Sequence, residues 1–158
     1  MINSYLSILE DSLEKKKEVL SSIQEANQEQ NELLKADKLD LERFDGLVDK
    51  KDAFIKELEK LDEGFEALYE KIRQELLQNK AMYAEQIKRI QALISEVTEK
   101  SVSIQAQETR NRDLVATHFS KERTALGQGR KSSKAAYSYY QNLSKAIQEE
   151  KRIMDMKK

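Results

Sequence analysis

The chain has 158 residues, no Pro, no Cys, no Trp and four Gly, and 36% of its residues are Asp, Glu, Lys or Arg with a net charge of −1. Missing cysteine excludes a disulfide frame and a thiolate metal site, and missing proline permits very long helices. Few aromatics and abundant Glu, Lys, Leu and Gln exclude a thick globular core and favour long paired helices.

The first predicted helix carries Leu6, Leu9, Leu13, Lys16, Leu20, Ile23, Asn27, Gln30 and Leu34 at alternating spacings of three and four. That is a coiled-coil seam with three polar positions. Polar seam residues fix register or partner number, or else face a gap that a partner fills. The helix ends near Lys35, and KADKLD reads as a turn with Asp37 as the next cap and Asp40 in the following first helical turn. The first two helices are therefore antiparallel.

The second predicted helix, about 38–78, has two apolar lines. One runs Phe44, Val48, Lys51, Ile55, Leu58, Asp62, Phe65, Tyr69, Ile72, Leu76; the other repeats every seven residues as Leu47, Phe54, Leu61, Leu68. A stripe this wide should meet two neighbours. Gly46 and Gly64 inside this helix read as points of close helix approach.

The third helix has a weak start, with Asn79 its one candidate cap, and a seam of Tyr83, Ile87, Ile90, Ile94, Val97, Ser101 and Ile104. QAQETRNRD then reads as polar before Leu114, Val115, His118 and Phe119. A turn at 78–82 gives three helices of similar length, roughly 55–65 Å, and an up-down-up bundle; a continuous helix gives a rod of over ~120 Å. Matching lengths favour the turn. The expected class is all-α: an elongated antiparallel bundle of three long helices over 1–122, a hinge at 123–134, and an amphipathic segment at 135–158.

ALGQGRKSS, with Gly127 and Gly129, marks the hinge. Beyond it Ala136, Tyr140, Leu143, Ile147 and Met154 share a helical face, and three of the chain's six tyrosines (Tyr137, Tyr139, Tyr140) cluster. Residues 120–158 hold ten basic and four acidic side chains, a net of +6, against −7 for the remainder. An acidic body with a basic tail suggests two surfaces with different partners.

Catalytic chemistry is not visible. His118 stands alone, carboxylates alternate with lysines along solvated faces, and GQG lacks the strand and spacing of a phosphate loop. No enzyme activity, cofactor or metal is expected. The acidic body argues against nucleic acid despite Arg130, Lys131 and Lys134 beside the tyrosines. The amphipathic tail is interrupted by Glu149 and Glu150, so no stable membrane insertion is expected. The N-terminus has no basic start followed by an apolar run, and no stretch reaches membrane-spanning length, so the expected location is the cytoplasm.

Three stretches carry a family resemblance: LLKADKLDLERF at the first turn, LVDKKDAFIKELEKLDEGF after it, and QAQETRNRDL followed by GRKSSKAAYSYYQNL. Together they resemble the FlgN family of flagellar export chaperones, over nearly the whole chain. The resemblance implies a cytosolic, non-enzymatic helical protein that holds the hook-associated proteins FlgK and FlgL by their C-terminal helices. It implies a C-terminal segment used in client binding and a tyrosine there that docks on the export gate protein FlhA. Client contact then falls on Tyr137, Tyr140, Leu143 and Ile147, with gate docking through Tyr137, Tyr139 or Tyr140. A secondary apolar face is the line Leu47, Phe54 and Leu61 of the second helix, expected to be exposed. The competing reading is a coiled-coil scaffold, a homodimer or adaptor joined through the wide stripe of the second helix.

Overall fold

A computed structural model describes residues 2–119. They form three helices, α1 (Ile2–Lys35), α2 (Leu41–Gln78) and α3 (Ala84–Phe119), with no strand among the described residues. At 1.5 Å per residue each is about 50–57 Å long, so residues 79–83 are a turn and the continuous rod is not formed. The turn closes with Met82 N–H on the Asn79 carbonyl at 3.0 Å and Tyr83 N–H on Lys80 at 3.2 Å.

The interhelical bonds fix the topology. Between α1 and α3, Lys17 meets Glu96, Asn31 meets Asn111 and Glu10 meets Arg89, at separations of 79, 80 and 79 residues. A constant offset means parallel helices. Between α1 and α2, Lys16 pairs with Asp62 while Gln30 accepts from Lys51, so one number rises as the other falls. Those helices are antiparallel, and the bundle is up-down-up.

All nine positions of the α1 seam are buried, polar ones included. The first line of α2 is buried too, with Asp62 half-buried. The buried apolar side chains form two clusters: a long one from Ile2 to Ile23, Ile55 to Leu76 and Ile90 to Ile104, and a short one of Leu34, Phe44, Val48 and Val115. Phe65 stacks on Tyr69 with ring centres 6.3 Å apart in the long cluster. The wide stripe of α2 does serve two neighbours, both within one chain.

Three local expectations are corrected. Asp40, not Asp37, caps α2: its backbone is extended (φ −79, ψ 90) and its carboxylate accepts from Arg43 N–H at 3.2 Å. Leu39 before the cap and Phe44 after it join the short cluster, a hydrophobic staple that sets the start three residues after the expected position. Asn79 ends α2 and does not begin α3, donating its side-chain amide to the Glu75 carbonyl at 2.9 Å. Gly46 and Gly64 mark no close approach: both are exposed, and an added Cβ meets no described atom within 4 Å.

Gly46→Ala and Gly64→Ala should therefore each raise stability by about 0.5–1 kcal/mol, and Asp40→Ala should lower it by about 1 kcal/mol. Urea unfolding followed by circular dichroism measures both; a destabilising glycine substitution would mean that the face is used for packing.

Candidate functional site

Between the two apolar clusters lies a polar layer drawn from all three helices. Lys51 of α2 and Glu108 of α3 are 4% and 2% exposed, and their Nζ and Oε1 lie 2.5 Å apart. Lys51 also donates to Gln30 Oε1 of α1 at 3.0 Å. Burial pushes the Lys51 ammonium below the ordinary lysine range, opposed by the Glu108 carboxylate. Next to this trio, Asn27 donates to Gln107 Oε1 at 3.2 Å, Asn111 donates to the Asn27 carbonyl at 3.0 Å, and Asn31 donates to Asn111 Oδ1 at 3.0 Å.

The polar stretch after Ile104 is thus not a break in the seam. Glu108, Asn111 and Val115 continue it at spacings of four, three and four, buried like the residues before them. Sequence reasoning missed Glu108 and Asn111 because it tracked apolar residues. The signal was the spacing itself, together with Asn27, Gln30 and Lys51, whose polar groups need polar partners once buried.

A second polar row flanks the α1–α3 seam at steps of seven on α1. Asn3 accepts from Gln86 at 3.3 Å, Glu10 accepts from Arg89 at 2.8 Å, and Lys17 donates to Glu96 at 2.9 Å. Gln24 offers its carbonyl to Gln107 at 3.4 Å, and Asn31 closes the row. The hydrogen bond from Lys17 to Glu96 raises the Lys17 pKa above its usual value. His118 donates from Nε2 to the Leu34 carbonyl at 2.5 Å. Leu34 lies in the last turn of α1, where carbonyls lack helical partners, so the lone histidine is a helix-end cap.

The α2–α3 face differs from the other two. Cα atoms of α1 come within 8 Å of both neighbours, but among the described residues no such approach links α2 to α3. On α2, Asp62 reaches α1, and Phe54, Leu61 and Leu68 lie on the opposite flank of the buried stripe, toward α3. They are half-buried against the long cluster. With Lys51 opposite Glu108 in antiparallel helices, Phe54 stands level with Gln105, Leu61 with Thr98 and Leu68 with Gln91. The α3 side of this groove, Gln91, Ser95, Thr98, Val102, Gln105 and Thr109 at spacings of four and three, carries no charge. Val102 is 53% exposed.

Of the residues predicted to contact a client, Leu47 is buried at 5% exposure, while Phe54 and Leu61 are half-buried; this line is not the exposed one expected, because the α2 stripe turns it inward. Tyr137, Tyr139, Tyr140, Leu143 and Ile147 lie outside the described residues, as do the hinge at 123–134 and the segment at 135–158. Among the described residues no three His, Asp or Glu side chains converge to hold a metal, and no helix is long and apolar enough to cross a membrane.

The family model for the FlgN protein matches residues 1–145. The chain belongs to the FlgN family. That is a family of flagellar export chaperones, and its match spans the described bundle and continues through Tyr137, Tyr139, Tyr140 and Leu143. No curated protein and no solved structure matches the chain significantly. A FlgN-family bundle of this kind offers helical surfaces and buried polar pairing, and its one histidine is committed to the backbone.

Removing one partner of the polar layer strands a buried charge. Lys51→Met should destabilise the chain by about 3–5 kcal/mol, whereas Lys51→Met with Glu108→Leu should be near neutral or stabilising. The pH dependence has a definite sign. The unfolded lysine keeps its proton to about pH 10.5, beyond the folded one, so this group's contribution to stability rises with pH up to that value. The double variant should lack that rise in urea titrations run from neutral to alkaline pH.

Proposed function

We propose that this chain is a cytosolic chaperone of flagellar type III export. It binds the amphipathic C-terminal helices of hook-associated proteins of the FlgK and FlgL kind and delivers them to the gate protein FlhA. The observation that supports this most is the extent of the family match, which passes the end of α3 and takes in the tyrosine cluster. The physical chemistry agrees. An export chaperone shields an apolar helix reversibly and performs no reaction, and helix-in-groove recognition needs only apolar anchors at helical spacing.

Tyr137, Tyr140, Leu143 and Ile147 are the proposed client anchors, with Phe54 and Leu61 as a secondary surface. Tyrosine suits such a surface because it buries a large ring while its hydroxyl stays hydrated. Gate docking is assigned to the cluster of Tyr137, Tyr139 and Tyr140.

Calorimetric titration of peptides from the C-terminal helices of the organism's own hook-associated proteins tests the reading. The full chain should bind, and Leu143→Asp with Ile147→Asp should weaken binding by about tenfold or more, equivalent to about 1.4 kcal/mol. Equal binding by the variant would overturn the site assignment, and no binding by the unaltered chain would overturn the client class.

A further inference from the structure

Among the described residues α2 and α3 approach each other less closely than either approaches α1, and the chemistry of the groove between them is unlike that of the other two faces. Its α2 wall is apolar, with Phe54, Leu61 and Leu68 half-buried, and its α3 wall is uncharged through Thr98, Val102 and Gln105. The α1–α3 face is instead laced by ion pairs and amides, and the α1–α2 face is joined by Lys16–Asp62 and by Arg43 on Glu29. In a chain with 36% charged residues, an uncharged row of six positions at seam spacing is a surface suited to another helix.

We infer that the occupant of this groove, when no client is bound, is the chain's own segment 135–158, laid between α2 and α3 as a fourth helix. Three observations select it. The first is length: 24 helical residues span about 36 Å, and the groove from the level of Leu47 to that of Leu68 spans about 32 Å. The second is position. The helix α3 ends at Phe119 at the Phe44 end of the groove, and the 15 residues of 120–134 reach up to about 50 Å. Tethering over so short a span gives an effective concentration of about a millimolar, which outcompetes a dilute second copy. The third is charge: the segment 135–158 carries five basic and three acidic side chains, a net of +2, and residues 1–119 a net of −7.

The docked segment would turn Ala136, Tyr140, Leu143 and Ile147 toward Phe54 and Leu61. Tyr140, Leu143 and Ile147 are among the anchors assigned to the client above, so in the free protein the two apolar surfaces shield each other. A client helix would displace the segment to gain either surface, and the affinity would be lowered by the fraction of time the segment is docked. This consequence rests on the proposed function; the docking itself does not.

Hydrogen exchange of the full-length chain, read by mass spectrometry of peptides covering 135–158, decides the matter. Docking predicts exchange about tenfold or more slower than the unfolded-chain rate in that segment. Val102→Glu, at an exposed position outside the core, and Leu61→Asp should each speed exchange there while α1 stays protected. Leu143→Asp with Ile147→Asp should do the same from the other side. The result should be unchanged on tenfold dilution. Exchange at the unfolded rate in the unaltered chain, protection indifferent to all three variants, or protection that fades on dilution as a second copy leaves would each overturn the inference. No client peptide enters this test, so its failure is distinct from failure of the chaperone reading.

Discussion

The ion pair between Lys51 and Glu108 is the contact on which the arrangement of the three helices turns. An apolar seam tolerates sliding by a turn or a heptad, since leucine meets leucine at each step. A buried ammonium does not, because it must find its carboxylate and the Gln30 amide at a single register. The adjoining Asn27, Asn31, Gln107 and Asn111 amides impose the same demand between α1 and α3. Stability alone does not explain such a layer, as an apolar replacement would hold the helices at least as firmly. Its effect is to select one alignment, and the level of every residue along the α2–α3 groove follows from it.

Much of this was legible in the residues. The α1 seam, read from spacing alone, is buried at each of its positions, and so is the main line of α2. The turn expected at 78–82 from helix length, with no glycine or proline to mark it, lies at 79–83. Other features escaped for physical reasons. Asp37 and Asp40 are equally good caps in isolation, and the choice belongs to Leu39, which joins the short cluster with the chain extended before Leu41. Glu108 and Asn111 were lost because hydrophobic periodicity is blind to buried polar groups. Gly46 and Gly64 suggested close packing, yet sit on an open face where they only weaken the helix.

The candidate site divides in the same way. Phe54 and Leu61 were recognised as a second line on α2, but a period of seven does not tell which flank of the stripe meets a neighbour. That information lies in Asp62 reaching Lys16, which places the line toward α3. His118 illustrates the reverse case. Nothing in its neighbourhood in sequence signals the Leu34 carbonyl 84 residues earlier, which it caps. The family match brings the tyrosine cluster together with the bundle in one inherited unit.

The parallel pairing of α1 with α3 also has a consequence in time. As the chain is synthesised, α1 and α2 can form their hairpin as soon as residue 78 is available, and Lys16, Gln30 and Glu29 find their partners there. The other flank of α1 waits for residues about 80 positions downstream. From residue 78 to the end of α3 at residue 119 is 41 residues, which at ordinary translation rates takes on the order of two to eight seconds. Throughout it Lys51 is without Glu108 and the hairpin has one unsealed side. The emerging protein is thus, for a few seconds, itself an open helical pair in need of a third helix, until its own α3 arrives.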